Sequence, residues 1–441
     1  MPQFTECPLW LKRLSTDRQI YIKFGVWKRA SDRVSIDALK LSCHQCIIIV
    51  KGIEMSYVMQ GFPPKEPNQA TLDNWRKAPY CHWAFHHVRE LVPSAEIQND
   101  PMNVWELDSG TLDTSKIGLD EALIQTDTDA LVIVHDNTLV YETYRNGMTS
   151  RDPHILMSVS KSMLGLIAGT LVERNELSEK DLITKYVPEL ANSAYAEATV
   201  RNLLDMRVGV FFNEDYLATE GPIIDYRYAA NWNPVPKDRE AGDLRSFMSS
   251  LKEVDGTHGG RFHYVSPNTD LLAWVFERAT GMRYADLVSD RLWKPLGAEA
   301  SGYITVDRVG GARAAGGKCF LARDLARVGM MMSNGGQRQG KQVIPKQWIN
   351  DIIHNGDPQA WIDGDFYNDM GKREMHYRSK WYIRREAEPL IFGLGIHGQF
   401  LFIDPAKQLS IAWFSSQNNP LNSPTFEKTY EIIQEIRNEF S

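Results

Sequence analysis

Two stretches of this chain have the spacing Ser-x-x-Lys: Ser158 to Lys161 and Ser249 to Lys252. A serine hydroxyl is a poor nucleophile at its free pKa and needs a base beside it. A buried lysine can be that base, because loss of water disfavours its charged form and lowers its pKa. On a helix, residues i and i+3 share a face, so this spacing brings hydroxyl and amine together. The surroundings separate the two stretches. Ser158 and Lys161 open the run from Met157 to Val172, in which Leu164, Ile167, Ala168 and Leu171 recur at helical spacing. That pattern predicts a helix packed deep in a core, with Ser158 and Lys161 near its N-terminus. Ser249 and Lys252 lie in a polar region with no long apolar run behind them. Ser158 is therefore the candidate nucleophile and Lys161 its candidate base.

A Ser/Lys pair needs a third group to pass a proton to the leaving group. Tyrosine can do so where neighbouring cations lower its pKa. Tyr264 is the candidate, in the stretch Phe262 to Asp270 just ahead of a predicted helix. An edge strand should flank the cleft. Phe392-Gly393-Leu394-Gly395-Ile396-His397-Gly398-Gln399 fits, since closely spaced glycines let a ligand or another backbone approach a strand. His397 raises a different chemistry, a Ser-His-Asp triad, which chain position alone does not decide. The chain has no Gly-x-Ser-x-Gly elbow, which counts against an α/β-hydrolase.

Two other motifs carry no chemistry. Gly335 to Lys341 nearly matches a phosphate loop, but Gln342 stands where Ser or Thr should hold magnesium, and a helix end rather than a strand precedes it. Cys43-His44-Gln45-Cys46 lacks the second ligand pair that zinc requires. Neither a metal nor a cofactor is expected.

The elements that must position these residues follow from the pattern. Ala130 to Val134 is a buried-strand run, Asp136-Asn137 a turn, and Leu139 to Tyr144 the partner strand. The helix carrying Ser158 follows. From about 198 to 310 the chain reads as helices, loops and turns, including a helix from Thr269 to Thr280 ended by Gly281. A helix from Arg323 to Met332 follows. Phe392 to Phe402 and Leu409 to Phe414 read as strands. A last helix begins with Ser423 as cap and Pro424 in its first position. The expectation is an α+β fold: an antiparallel sheet flanked by helices, with an inserted all-helical domain. The expected division is an atypical extension over 1–54, a Pro-rich and aromatic strap over 55–119, a sheet domain from 120–190 and 316–441, and a helical insertion over 191–315. Chemistry is expected in the cleft between sheet and insertion.

At 441 residues, with 43% hydrophobic and 24% charged residues, the chain is long enough for two or three ordinary domains with a sizeable core. A net charge of −7 argues against nucleic acid as a partner. The five cysteines are odd in number and scattered, so they do not form a disulfide framework. No apolar run approaches membrane-spanning length, and the N-terminus lacks a signal-peptide pattern. A reducing, cytoplasmic location is the expectation. Residues 1–54 carry nine Lys/Arg against five Asp/Glu, unlike the acidic remainder, and Met55-Ser56-Tyr57 reads like a natural start.

Several stretches together carry a resemblance. They include Thr71-Leu72-Asp73-Asn74-Trp75, Trp83-Ala84-Phe85, Met157 to Ser162, Tyr186 to Leu190, Asn213 to Tyr216, Ser266 to Trp274, Ala322 to Gly329, and Gly395 to Gln399. In that order the chain, from about residue 60 onward, resembles serine hydrolases related to class C β-lactamases and DD-peptidases. Within them it is most similar to the 6-aminohexanoate-dimer hydrolases, which cleave nylon oligomers. The resemblance implies a β-lactamase-like fold. It implies that Ser158 is acylated, that Lys161 is its base and that Tyr264 relays a proton. It puts the oxyanion between the backbone N–H groups of Ser158 and Ile396. Ser266 falls where many relatives have Asn, although nylon-oligomer hydrolases also have Ser there. Tyr216 matches the loop tyrosine that closes over substrate. Ala315 falls where those enzymes have a polar residue near the substrate's amino end, and Tyr382 where they have Trp. Asp225 is a candidate for the acidic contact to a substrate amine. Leu394 and His397 are expected beside the substrate.

Gly393-Leu394-Gly395 replaces the Lys-Thr-Gly of β-lactamases, which removes the cation that reads a β-lactam carboxylate. The resulting expectation is a serine hydrolase acting through an acyl-enzyme on a small amide or ester, as a nylon-oligomer hydrolase or carboxylesterase does. A homodimer is compatible with it. The alternatives are a DD-peptidase or β-lactamase, and a non-catalytic binding protein on this fold.

Overall fold

The structure is a computed structural model that describes residues 57–440. The expectations for residues 1–54, for Cys43 to Cys46 and for a start at Met55 fall outside the described residues. In chain order the strands are β1 (Ser94–Ile97), β2 (Asp108–Ser109), β3 (Thr128–His135), β4 (Thr138–Tyr144), β5 (His154–Ile155), β6 (Gly302–Thr305) and β7 (Lys318–Phe320). They continue with β8 (Gln337–Arg338), β9 (Lys341–Gln342), β10 (Met375–Arg378), β11 (Trp381–Arg384), β12 (Leu390–Gly395), β13 (Gln399–Asp404) and β14 (Leu409–Ser415). The helices that matter below are α1 (Leu119–Gln125), α2 (Val159–Glu173), α3 (Pro222–Ala229), α4 (Pro267–Thr280), α5 (Ala322–Ser333) and α6 (Ser423–Glu439).

One sheet has the order β10-β11-β12-β13-β14-β3-β4-β2. Every neighbour pair in it is antiparallel except the short β2 against β4. The β3–β4 hairpin turns at Asp136 and Asn137, both at positive φ, as a tight turn between right-twisted strands requires. Side chains alternate across β3. Ala130, Val132 and Val134 join the core with α2 and α5, while Leu131 and Ile133 join the core with α1 and α6. Burial on both faces explains why β3 reads as a continuous apolar run.

Helix α2 is buried on all sides, from Val159 to Leu171. Its apolar residues face neighbours in every direction, as a helix sunk in a core requires. Gly165 is needed for that depth: a Cβ there would sit 1.9 Å from the carbonyl oxygen of Ser379. Helix α4 ends at Gly281 in the left-handed conformation, φ +70°.

Three local expectations are corrected. Residues 302–305, expected within a helical stretch, form β6 in a second sheet, β1-β6-β7-β5, where the strap supplies β1. Phe392 to Phe402 is two strands, not one, because His397 and Gly398 both take positive φ and reverse the chain. The cap of α6 is Asn422, whose extended backbone lets its side chain accept the Thr425 N–H at 3.4 Å; Ser423 is already helical. Among the described residues no helix is long and apolar enough to cross a membrane.

Candidate active site

Ser158 stands at the N-cap of α2, directly after Met157, which takes a left-handed φ of +44°. That conformation is uncommon for a residue with a long side chain, and it marks the sharp turn that feeds β5 into α2. One turn into the helix, Lys161 is 1% exposed. Its Nζ lies 2.7 Å from Ser158 Oγ and donates to the Ala315 carbonyl at 2.8 Å. Burial pulls the Lys161 amine down to about 7; Glu214 and Asp270 oppose that shift, and Arg313 adds to it. Near neutral pH a large fraction of Lys161 is therefore uncharged and able to accept a proton.

Tyr264 comes from the turn leading into α4 and is 5% exposed. Lys161 Nζ lies 4.9 Å from its ring centroid. The Tyr264 N–H donates to Asp365 Oδ2 at 2.8 Å, which anchors this segment. The expectation that cations lower the Tyr264 pKa is corrected. Burial, reinforced by Glu214, raises it, and the hydrogen bond with Ser158 and the charge of Arg313 do not offset this. Tyr264 is a protonated phenol at neutral pH.

Glu214 is the residue that sequence reasoning missed. Its carboxylate accepts from the Ser266 N–H at 2.5 Å, from the Ser266 hydroxyl and from the Tyr216 hydroxyl at 2.7 Å. It thereby ties the Tyr216 loop to the start of α4. The stretch Asn213 to Tyr216 was visible in the sequence, but nothing in it pointed to a partner as distant as Ser266.

The end of β12 closes the site against α2. A Cβ on Gly395 would sit 2.7 Å from the Leu156 carbonyl and 2.9 Å from the Ser158 backbone nitrogen. A Cβ on Gly393 would sit 2.9 Å from Ser162 Oγ. Both glycines are required by close approach, and they bring Ile396 beside the Ser158 backbone.

Two cavities meet at Ser158, Tyr216 and Ile396. The larger is about 320 Å³, and its walls include Tyr264, Leu394, Phe366, Phe400 and Phe426. The smaller is about 30 Å³ and is bordered by Ala315, Trp232, Glu214 and three arginines, Arg76, Arg227 and Arg313. The aromatic wall of the larger cavity was not legible because it comes from the 363–371 loop, β13 and α6, which meet only in the fold.

Three expected pocket residues line neither cavity. Asp225 on α3 is ion-paired to Arg239 at 2.7 Å, so its carboxylate is turned to another partner. Tyr382 is 2% exposed and stacks on Phe392 with centroids 5.3 Å apart, since the β11 register points it into the core. His397 occupies the β12–β13 turn, with Nδ1 2.6 Å from the Gln417 carbonyl. Burial lowers its pKa to about 4. It is a neutral ring bonded to backbone, and the amine beside Ser158 Oγ is that of Lys161. Among the described residues no three His, Cys, Asp or Glu side chains are grouped to hold a metal.

An antiparallel sheet between helix layers, with a buried lysine on a helix-capping serine, defines a class. Residues 120–434 match the family described as Beta-lactamase, and the chain belongs to that family and is a serine hydrolase. It is 36% identical over 364 residues to the 6-aminohexanoate-dimer hydrolase of Paenarthrobacter ureafaciens, covering 81% of this chain and 91% of that one. A solved structure from Bacillus anthracis, assigned provisionally as a 6-aminohexanoate-dimer hydrolase, is 29% identical with a TM-score of 0.76. It covers 85% of this chain and 97% of that one. A family VIII carboxylesterase shares the fold at 15% identity and a TM-score of 0.54, over 74% of this chain and 98% of its own.

Proposed function

We propose that Ser158 is the nucleophile of an acyl-enzyme reaction on small amides or esters. The observation that carries this is the 2.7 Å contact between Ser158 Oγ and a buried, partly neutral Lys161 at the mouth of a cavity. Neutral Lys161 takes the hydroxyl proton as Oγ attacks the carbonyl carbon. The developing oxyanion lies between the N–H groups of Ser158 and Ile396, where preorganised donors cost no reorganisation. Tyr264, a neutral phenol, donates its proton to the departing nitrogen or oxygen, and the lysine restores it. Water then attacks the acyl-enzyme by the reverse proton path.

In this reading the sheet domain, 120–190 and 316–441, supplies Ser158, Lys161 and Ile396. The insertion, 191–315, mainly helical but ending with β6, supplies Tyr264 and the Tyr216 loop. Tyr216 covers the bound substrate and Leu394 lines its path. With leucine in the middle of Gly393-Leu394-Gly395, the β12 strand offers no cation to a β-lactam carboxylate, so nitrocefin is a poor substrate. Two free, buried cysteines, Cys81 and Cys319, support a reducing, cytoplasmic setting.

The test is hydrolysis of p-nitrophenyl butyrate by the protein and by Ser158→Ala. The expected result is turnover by the first and background by the second. Equal rates in both would remove Ser158 from the mechanism.

A further inference from the structure

The small cavity beside Ser158 is built for charge rather than bulk. Three arginines border it, against one carboxylate, Glu214. Arg313 is matched: its Nη1 lies 2.7 Å from Asp270 Oδ2. The oxygens of Glu214 are already engaged by Ser266 and Tyr216. Arg76 and Arg227 form no ion pair among the described residues. Arg76 donates to the side-chain oxygen of Asn233, and Arg227 donates to the Tyr216 carbonyl at 2.9 Å. Three guanidinium groups thus border the cavity against the single carboxylate of Glu214; Asp270 is held by Arg313, and Asp215, which also acts on Arg227, does not border the cavity.

Like charge is also felt nearby, as an addition to burial. Burial and then repulsion from Arg227 and Arg313 lower Arg76 to about 9, which still leaves it charged at neutral pH. The charges of Arg76 and Arg227 also add to burial in depressing His397. An ammonium group entering this cavity would meet like charge. The acid expected to receive it, Asp225, is paired with Arg239 and does not border the cavity.

Direction follows from Tyr264, which lines the large cavity and not the small one. The group that protonates the leaving group thus places that group on the large side, and the acyl part on the small side. We propose that the acyl group transferred to Ser158 is short and ends in a carboxylate, which Arg76 and Arg227 hold in the small cavity. This rests on the reading of Ser158 as nucleophile. The substrate class is the monoesters and monoamides of short dicarboxylic acids. In the step itself, Ser158 Oγ bonds to the acyl carbon, the bond to the alcohol or amine breaks, and the serine proton passes to Lys161. Tyr264 protonates the leaving group, and water later releases the free diacid.

The experiment uses three methyl esters that differ only at the far end of the acyl chain: monomethyl succinate, methyl butyrate and methyl 3-aminopropanoate. Methanol release is measured with the full chain, Ser158→Ala, Arg76→Gln, Arg76→Glu and Arg227→Gln. The full chain is expected to favour the succinate ester over the butyrate ester by about tenfold or more in kcat/KM, as a charge-assisted contact provides, with the amino ester slowest. In Arg76→Gln and Arg227→Gln the succinate-to-butyrate ratio falls toward one, mainly through KM, and in Arg76→Glu the order of the charged esters reverses. Each variant is read as a ratio of two substrates in one protein, so partial unfolding lowers both rates and leaves the ratio. The proposal is overturned if the full chain shows no preference for the carboxylate, if the preference survives in both glutamine variants, or if all three esters are inert. A Ser158-dependent rate with no preference sinks this inference alone. Equal rates in Ser158→Ala sink the nucleophile reading and this inference with it.

Discussion

The two Ser-x-x-Lys stretches share a spacing and part ways in everything else. At Ser158 the helix continues past Lys161 into the core, so the amine is carried inward and meets the hydroxyl at 2.7 Å. At Ser249 the helix Leu244–Ser250 stops before the lysine is reached, and Leu251 turns to an extended conformation. The Ser249 hydroxyl donates to the Arg245 carbonyl at 2.9 Å, and the exposed Lys252 donates to the Asn192 carbonyl at 2.6 Å. Spacing brings two side chains to one face only while the helix lasts, and only burial turns a lysine into a base near neutral pH.

The comparison is broken most easily at the serines. Ser158→Ala should lower ester hydrolysis on the order of ten-thousandfold or more, whereas Ser249→Ala should leave kcat/KM unchanged. At the lysines, Lys161→Met should cost about a thousandfold, and Lys252→Met should stay within about twofold, as surface changes do. The sign of the pH dependence sharpens this. Lys161 acts as a base only when uncharged, so kcat/KM should rise as pH passes upward through about 7 and then level off. A pH–rate profile that is flat from pH 5 to 9 would count against Lys161 as base.

A smaller effect is expected where β12 meets α2. Gly395→Ala introduces a methyl group 2.7 Å from the Leu156 carbonyl and should push Ile396 away from Ser158. Loss of that oxyanion donor costs about a hundredfold in kcat. Among the site variants the smallest change is expected for Glu214→Gln, which weakens the tie between the Tyr216 loop and Ser266 and costs about tenfold. Glu214 also holds the Lys161 pKa up against burial, so the rise in the pH profile should move to lower pH in this variant. A shift to higher pH would contradict the electrostatic account of Lys161.

What was legible in the sequence was whatever obeys a period or a local rule. Helix α2 announced itself by Leu164, Ile167, Ala168 and Leu171, and β3 by an unbroken apolar run between turn residues. Tyr264 and the glycines of β12 stood out by type and position. The failures were contacts that cross the chain. Glu214 finds Ser266 only because the fold closes the loop over α4. Arg76 comes from the strap and Arg227 from α3, and no spacing rule joins them in one cavity. Tyr382 and Asp225 were placed by likeness to relatives, and each is claimed by a closer partner: the Phe392 ring for one, the Arg239 guanidinium for the other. The β12–β13 turn was hidden because His397, not only Gly398, adopts a positive φ.

The most direct test of the central claim is where a covalent probe lands. The full chain would be treated with a fluorophosphonate, which phosphonylates activated serine hydroxyls, digested, and mapped by mass spectrometry. The account predicts one adduct, on the peptide carrying Ser158, and none on the peptide carrying Ser249. It also predicts that Ser158→Ala takes up no label and that Lys161→Met labels far more slowly. A stable adduct at another serine, or undiminished labelling of Ser158→Ala, would contradict it.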